Sequence, residues 1–396
     1  MDELLSTAEA ARRLGVRRET VYAYVSRGLL ERHPASGHHR SLFAADAVAR
    51  LSSRARRPGR SGALEVVVDT EITHLDPGGR LSLRGRDAVA LARFNTFEQV
   101  TGLLWQGDPG APWQLAEPDH AVVRALMAAL PEGATLNERI AVAITGVAAT
   151  DPRRGGRRPE DVRRAGARML AAALAAPARA GARGDGAAAR LWAAFRADGR
   201  APSPRQRAAV DAALVLLADH ELSASTLTAR VAASAWADPY RVATAALSTL
   251  SGVLHGGATE AVAALLSEAR TAAGAFAVLE RRLSAGGPPP GFGHRVYRDR
   301  DPRADHLIER LEAVGDGGER ARVVRAVLDA AVALRLPAPN ADFALAALTD
   351  VMSLEADAGT AIFTVARLAG VLAHAIEEYP HRLRFRPRAR YVGPVG

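Results

Sequence analysis

Residues 291–303 read Gly-Phe-Gly-His-Arg-Val-Tyr-Arg-Asp-Arg-Asp-Pro-Arg, and this stretch is the most specific pattern in the sequence. It places His294 on a glycine-rich loop and Arg303 directly after a proline. A short glycine-rich segment is often only a turn. This one is long and chemically mixed, which is hard to meet by chance, so it indicates a functional motif.

Three further segments carry ionisable residues in contexts that packing alone does not select. Residues 219–226, Asp-His-Glu-Leu-Ser-Ala-Ser-Thr, end a predicted helix in hydroxyl groups. Residues 254–260, Leu-His-Gly-Gly-Ala-Thr-Glu, put His255 just before two glycines and a new helix. Residues 340–342, Asn-Ala-Asp, open a helix with Asp342 in its first turn. Taken singly, each is explained by capping or by the helix dipole.

Taken together, and with Arg-Pro-Arg…Tyr-Val-Gly at 386–393, these motifs make residues 64–396 resemble the citrate synthase family. The resemblance implies a mainly α fold with a large and a small helical domain. The large domain would comprise about 64–253 and 345–396, and the small domain about 254–344. The alanine-rich helical periodicity of the body independently favours a mainly α structure. Before it, the β-branched run from Leu64 to Ile72 and the turn at residues 76–79 predict a small hairpin that ends near Leu83.

The family's reaction joins the methyl carbon of acetyl-CoA to the ketone of oxaloacetate and then hydrolyses the thioester. By resemblance, Asp342 is the base, His255 donates to the thioester oxygen, and His294 polarises the ketone and protonates the alkoxide. A carboxylate with an ordinary pKa of about 3.9 is a feeble base for such a proton. It succeeds only if the developing enolate oxygen is stabilised. The helix start beside His255 predicts a neutral, hydrogen-donating imidazole.

Oxaloacetate carries two carboxylates, which call for arginine side chains. The resemblance implies Arg303, Arg367 and Arg386 as the carboxylate-binding arginines and His220 as a further oxaloacetate residue. Arg367 lies off the apolar stripe of its predicted helix, which suits a side chain that faces a ligand. In this family the arginine that matches Arg386 comes from the partner subunit, so a homodimer is implied.

The composition limits the chemistry further. Cysteine is absent and all 52 basic residues are arginine, which excludes disulfides, thiolate metal sites, P-loop chemistry and Schiff-base catalysis. The phosphates of coenzyme A must then meet arginines, and Arg295 and Arg298 are the candidates inside the motif. We expect no metal and no cofactor, since acetyl-CoA is a substrate.

Three positions depart from the family pattern. Ser223 and Thr259 stand where asparagine is common, and Val253 stands where proline is common. None of these changes removes a catalytic group. Ser223 lies beside the oxaloacetate segment, so it is expected to affect affinity.

The charge is concentrated at the start of the chain. Of a formal net charge of +9 over 396 residues, residues 1–62 carry twelve arginines and six acidic residues, net +6. A compact basic segment before a near-neutral body suggests a nucleic-acid-binding module. The start has no apolar run and the stretch 361–376 is split by Arg367, so we expect no signal peptide, no membrane span and a soluble, cytoplasmic protein.

Residues 1–52 resemble a MerR-type or excisionase-type winged helix-turn-helix. Residues 6–9, Ser-Thr-Ala-Glu, form a capping box, and Gly15 stops the first helix at a turn. Residues 33–40 are predicted to form a hairpin or wing and residues 46–51 a third helix. Residues 53–63 then read as a basic linker to the body.

In such a module the second helix enters the major groove by its first residues. The candidate DNA-facing residues are Arg17, Arg18, Thr20 and Tyr22 on that helix and Arg40 on the wing. The alternative is a small docking domain whose arginines are merely solvated.

Three functions follow as hypotheses. The first is citrate synthase, an acyltransferase acting on acetyl-CoA and oxaloacetate. The second is 2-methylcitrate synthase using propionyl-CoA, since one methylene discriminates by only about 1–3 kcal/mol. The third is a DNA-binding regulator that uses a synthase-like body as a metabolite sensor. A structural partner for a second synthase chain is a further alternative.

Overall fold

The protein was analysed as a computed structural model of the full chain, which divides into two compact units, residues 1–68 and 69–396. The structure describes these residues: 4–14, 21–22, 24–25, 30–34, 41–48, 66–76, 78–108, 113–177, 184–252, 255–284, 286, 289–315, 317–388, 391 and 393. The predicted linker 53–63 and the residues Arg17, Arg18, Thr20, Arg40 and Val253 lie outside the described residues.

The N-terminal unit contains a three-stranded antiparallel sheet and a helix. Its strands are β1 (Leu4–Ser6), β2 (His33–Pro34) and β3 (Ser41–Ala44), in the order β1-β3-β2, and its helix is α1 (Thr7–Leu14). The predicted capping box is present, because Ser6 N–H donates to Glu9 and Glu9 N–H donates to Ser6 Oγ. The strand β1 before that box was not predicted.

The wing prediction is confirmed for its two flanking strands. His33 pairs with Leu42 and Pro34 with Ser41, so β2 and β3 form the two sides of a hairpin. A small apolar core, which includes Leu5, Val21 and Phe43, holds this unit together. Residues 45–48 are helical, in agreement with the start of the predicted third helix.

The body begins with a small antiparallel sheet formed by β4 (Thr73–Leu75), β5 (Leu81–Leu83) and β6 (Arg86–Asp87). The predicted hairpin exists, with its turn at residues 76–79. Its first strand begins at Thr73, however, and not in the β-branched run that starts at Leu64. The described part of that run, residues 66–70, has no partner strand, and Val67 is exposed.

The rest of the described body is helical, as predicted. The α-helices are α2 (Ala88–Phe94), α3 (Phe97–Trp105), α4 (Glu117–Ala129), α5 (Leu136–Ala149), α6 (Pro159–Ala175), α7 (Ala187–Phe195), α8 (Pro204–Leu217), α9 (Ala224–Ser234), α10 (Pro239–Leu250), α11 (Ala258–Glu268), α12 (Ala275–Ser284), α13 (Pro302–Val314), α14 (Glu319–Ala333), α15 (Ala341–Val351) and α16 (Ala358–Glu378). A short 3-10 helix, Ala272–Gly274, precedes α12.

The central element of the body is α16. Eighteen of its 21 residues are buried, and it packs against α6, α8, α9 and α10. Among the described residues it is the one helix long and apolar enough to cross a membrane, because it extends beyond the stretch 361–376 at both ends. Its most apolar window is 89% buried inside the protein, as expected for a core helix.

Six elements bring the candidate site residues together. Helix α15 packs against both α11 and α13, while α9 packs against α16. His220 follows α8, and the loop 291–301 precedes α13. The side chains near the starts of α9, α11, α13 and α15 therefore converge, together with Arg367 from the middle of α16.

Candidate active site

The loop 291–303 is fixed against the start of α15. Asn340 is the N-cap of α15, and its backbone N–H donates a hydrogen bond to Gly291 O at 2.9 Å. Its side-chain amide donates to Gly293 O at 2.9 Å. Gly291 has a φ of +90°, and a β-carbon there would lie 2.8 Å from Val262 Cγ2. Only glycine fits this conformation and this close approach.

His294 is held as a neutral ring with a defined tautomer. Its Nδ1 accepts hydrogen bonds from the backbone N–H groups of Val296 (3.0 Å) and Tyr297 (3.3 Å). A nitrogen that accepts carries a lone pair, and the two backbone bonds to Nδ1 are shorter than the 3.4 Å contact between Arg303 Nη2 and Nε2, so we assign the hydrogen of the neutral ring to Nε2. Burial, and then the charge of Arg303, lower the pKa of His294 to about 4. The ring therefore presents an N–H donor at neutral pH.

His220 lies beside His294. The two ring centroids are 5.2 Å apart, and His220 Nε2 is 3.1 Å from Tyr297 Oη. Burial lowers the pKa of His220 well below its usual value, and the cations Arg303 and Arg367 lower it further. Two neutral imidazoles therefore share one wall of the site.

Arg303 is a buried cation with a dedicated counter-ion. Its Nε and Nη2 donate to the two carboxylate oxygens of Asp301 at 2.9 and 2.8 Å. Asp301 Oδ2 also accepts from Ala341 N–H at 3.0 Å. This one carboxylate therefore joins the arginine at the start of α13 to the first turn of α15, which carries Asp342. Sequence reasoning quoted Asp301 within the motif but gave it no role.

Asp342 is a carboxylate with an elevated pKa. It lies in the first turn of α15 and its Oδ1 accepts a hydrogen bond from Thr259 Oγ1 at 2.9 Å. Burial raises the pKa of Asp342, against the lowering effects of the Thr259 bond and of Arg303. A higher pKa makes the carboxylate a stronger base than the ordinary carboxylate assumed from the sequence.

His255 is also a neutral ring, and its tautomer is opposite to that of His294. Its Nε2 accepts from Ser225 N–H at 3.4 Å and lies 2.9 Å from Ser225 Oγ. The ring hydrogen is therefore on Nδ1. The pKa of His255 is lowered, in the predicted direction, but the causes are burial and then Arg367 instead of the helix start. The sequence did not single out Ser225.

Arg367 is buried, and no carboxylate of the described residues is bonded to it. The side chain is 1% exposed, its Nε has no hydrogen-bond partner, and its Nη1 lies 3.4 Å from Ser223 Oγ. Burial lowers the pKa of Arg367 to about 10. The residues of the predicted apolar stripe lie in the core, but the other faces of α16 are buried as well. The inference that Arg367 is available to a ligand rests on its unpaired Nε.

A chain of buried polar groups continues from Asp219, which sequence reasoning also left without a role. Asp219 Oδ2 accepts from Thr73 Oγ1 at 2.5 Å and from His374 Nε2 at 3.3 Å. His374 Nδ1 accepts from Arg230 Nε at 2.9 Å, and Arg230 pairs with Glu378 at 2.7 Å. The pKa of the Arg367 guanidinium is lowered mainly by its burial, and the negative charge of Asp219 opposes that shift.

A close packing contact holds Asp219 against α16. A β-carbon at Gly370 would lie 2.4 Å from Asp219 Oδ1, so this helix position has to be glycine for the carboxylate to approach. Asp219 directly precedes His220 in the chain. The contact therefore fixes the backbone that carries His220 to the helix that carries Arg367.

Several predicted residues do not join this group. Arg386 is exposed and forms no hydrogen bond or ion pair with another described residue. Arg295 and Arg298 are also exposed, and Arg298 lines a cavity of about 190 Å³ with Gly79 and Arg300. In the N-terminal unit Tyr22 is half exposed, with its Oη 3.5 Å from Thr7 Oγ1.

The arrangement therefore combines one partly buried carboxylate base, neutral imidazole donors and two buried arginines. Such a set suits a small dianion beside a carbonyl compound with an acidic C–H bond. Residues 63–388 match the family model described as citrate synthase, C-terminal domain. The chain belongs to the citrate synthase family. Residues 4–51 match a helix-turn-helix domain, as predicted.

Relatives within the citrate synthase family differ in how much they share with this chain. It is 39% identical over 203 residues to citrate synthase 2 of Bacillus subtilis, covering 50% of this chain and 55% of that protein. It is 29% identical over 361 residues to citrate/2-methylcitrate synthase of the same organism, covering 85% and 96%. The first match therefore spans only about half the length of the relative.

Solved citrate synthases have the same fold. One is the citrate synthase of Thermoplasma acidophilum in a ternary complex with carboxymethyl coenzyme A and oxaloacetate. It superposes with a TM-score of 0.69 at 26% identity, covering 84% of this chain and 95% of that chain. The enzyme of Pyrobaculum aerophilum gives a TM-score of 0.69 at 28% identity, covering 83% and 91%.

Proposed function

We propose that this protein is a citrate synthase that condenses acetyl-CoA with oxaloacetate and water to give citrate and coenzyme A. The observation that carries the proposal is the pair of opposite tautomers beside a raised-pKa carboxylate. His255 offers Nδ1–H, His294 offers Nε2–H, and Asp342 is the adjacent base. The two reacting carbonyl oxygens and the acidic methyl group each have a complementary group.

The steps follow from these donors. Asp342 removes a proton from the acyl methyl group while His255 Nδ1–H stabilises the enolate oxygen. The enol carbon attacks the ketone carbon of oxaloacetate, and His294 Nε2–H donates to the oxygen that becomes the alkoxide. Arg303 and Arg367 hold the substrate carboxylates, and His220 supports His294. Water then hydrolyses the thioester and releases coenzyme A.

The test is thiol release from acetyl-CoA and from propionyl-CoA, each with and without oxaloacetate. We expect oxaloacetate-dependent release that is lost by orders of magnitude in Asp342→Asn, while oxaloacetate binding is retained. A higher kcat/KM for propionyl-CoA would instead favour 2-methylcitrate synthase, which the similarity to citrate/2-methylcitrate synthase keeps as an alternative. Near-normal turnover by Asp342→Asn would overturn the assignment.

We further propose a homodimer in which Arg386 serves the site of the partner subunit. The exposure of Arg386 and its lack of contact with the buried groups of its own chain support this. Mixing Asp342→Asn chains with Arg386→Ala chains is the direct test. In a hybrid, one site carries both defects and the other carries neither, so mixing two inactive proteins should restore activity. No recovery after subunit exchange would contradict the proposal.

A second function, DNA binding, is proposed for the N-terminal unit. The helix-turn-helix match at residues 4–51 and the net charge of +6 over residues 1–62 support it. Deleting residues 1–62 should leave citrate formation largely intact. Binding of the intact protein to DNA from its own genomic neighbourhood should weaken steeply with salt. Equal binding after Arg17 and Arg18 become alanine would favour a docking domain, and loss of enzyme activity in the presence of DNA would favour the regulator.

A further inference from the structure

Asp342 receives a side-chain hydrogen bond on one of its two carboxylate oxygens. Thr259 Oγ1 donates to Oδ1 at 2.9 Å, and no other described side chain donates to this carboxylate. Oδ2 is therefore the oxygen without a protein hydrogen-bond donor among the described residues. A base needs one free oxygen in a fixed direction, so the group that holds Oδ1 controls where Oδ2 points.

Thr259 is itself fixed in the fold. The residue is 3% exposed and lies in the first turn of α11. A β-carbon at Gly359, the second residue of α16, would lie 2.8 Å from Thr259 Cγ2, so the threonine methyl packs directly onto that helix backbone. With the methyl group held by α16, the hydroxyl group is directed towards α15 and Asp342.

We propose that Thr259 is a positioning residue for the Asp342 base, keeping that carboxylate anionic and its Oδ2 aimed at the acyl methyl group. The proposal deepens the proposed condensation and rests on it. Sequence comparison marked Thr259 only as a departure from the asparagine common in the family. Its contact with Asp342 gives the residue a function, because the threonine hydroxyl group supplies a hydrogen-bond donor to the base.

The electrostatic setting makes this hydrogen bond matter. Burial raises the pKa of Asp342, and the nearby Asp301 raises it further, whereas Thr259, Arg303 and Arg367 lower it. Arg303 is already neutralised by Asp301 at 2.8 Å. Removal of the Thr259 donor thus leaves burial opposed mainly by two cations that are also assigned to the substrate.

The test compares Thr259→Val with Thr259→Ser. Valine keeps the shape and removes the donor, and serine keeps the donor and removes the methyl group. For Thr259→Val we expect kcat to fall roughly tenfold, the magnitude of one lost hydrogen bond to a charged group, with KM for oxaloacetate little changed. Because activity needs the carboxylate form, the acid limb of the kcat profile should move up by about one pH unit.

Thr259→Ser should keep the wild-type acid limb and most of kcat. A merely structural role would lower the stability of both variants without moving the pH profile of either. A Thr259→Val enzyme with wild-type kcat and an unmoved acid limb would overturn the proposal. So would a serine variant that behaves as the valine variant does.

A second measurement does not depend on turnover. The protonated Asp342 carboxyl group has an infrared carbonyl band that is identified by its loss in Asp342→Asn. Titration of this band should show a higher pKa in Thr259→Val than in the wild type or in Thr259→Ser. If the wild type shows no oxaloacetate-dependent thiol release, the proposed function fails, but the infrared titration still decides the role of Thr259. An unchanged titration would overturn that role even in an active enzyme.

Discussion

The two buried arginines of the site differ in one respect. Arg303, at the start of α13, donates hydrogen bonds to both carboxylate oxygens of Asp301. Arg367, in the middle of α16, is more deeply buried and has an Nε with no partner. The pKa of Arg303 is therefore raised despite its burial, whereas burial lowers the pKa of Arg367 to about 10.

This difference separates a stabilising cation from one held ready for a ligand. Breaking a buried ion pair leaves an uncompensated charge, which costs several kcal/mol. A buried cation that lacks a bonded counter-ion already carries that cost in the folded state. Arg303 thus contributes to both the fold and the site, while Arg367 is expected to contribute to binding at the expense of stability.

The largest effect on the free energy of unfolding should come from breaking the ion pair between Asp301 and Arg303. Asp301→Asn leaves Arg303 buried and unpaired and weakens the acceptor for Ala341 N–H, so the free energy of unfolding should fall by about 3–5 kcal/mol. Denaturant unfolding measures this. The matched control is Asp305→Asn, which breaks the more exposed pair with Arg300, and should cost less than about 1 kcal/mol. Equal losses in the two variants would contradict the comparison.

Substitution of each arginine should have a smaller effect on the unfolding free energy. The effects of the two substitutions should differ in direction. Arg303→Met leaves Asp301 unpaired and should destabilise the protein. Arg367→Met removes an unpaired buried cation and should leave the unfolding free energy unchanged or higher. Both variants should lose oxaloacetate affinity roughly tenfold to a hundredfold, from about 1.5–3 kcal/mol for one charge-assisted contact. Calorimetry with oxaloacetate and denaturant unfolding of the same samples give both readings.

An Arg367→Met protein that is much less stable than the wild type would show that the guanidinium has a counter-ion in the fold. Asp219 is the group to examine in that case, because its charge acts on Arg367. Unchanged oxaloacetate binding in Arg303→Met would instead remove Arg303 from the proposed ligand set.

The smallest expected effect on the unfolding free energy comes from His294, whose ring lies beside Arg303. The pKa of His294 is about 4 in the folded protein against an ordinary value of 6.5. The unfolded chain therefore binds more protons between these values, and stability is lost as the pH falls through this window. His294→Gln should reduce that loss, so its unfolding free energy should decline less than that of the wild type between pH 6.5 and pH 4. Parallel curves for the two proteins would show that His294 is not held neutral by its surroundings.

The motifs in the sequence predicted which residues meet, but not which of them pair. The segments around 220, 255, 294 and 342 were found because they combine histidine, glycine and carboxylate in long, specific patterns. The mainly α body and the helix-turn-helix followed from periodicity and capping signals. Asp301 and Arg303 are only two residues apart, so their ion pair is local. The bond from Ala341 N–H to Asp301 joins two helix starts, and no local pattern in one sequence encodes that distance.

Other features were missed for equally physical reasons. The apolar stripe predicted on α16 lies in the core, but the sequence did not show that the other faces are buried too, where alanine and glycine are small enough for close packing. The first strand of the body was placed too early, since β-branched residues form a strand only where a partner is available. Asp219 and Ser225 have roles that only tertiary contacts reveal.

The opposite tautomers of His255 and His294 have a consequence for coordination chemistry. In each ring one nitrogen accepts from backbone N–H, and the other carries the hydrogen. Neither ring then has a free electron pair to offer a transition-metal ion. A zinc ion entering the site would have to break backbone hydrogen bonds before either imidazole became a ligand. Each of these two histidines is therefore committed, by the backbone beside it, to donating a hydrogen bond from its other ring nitrogen.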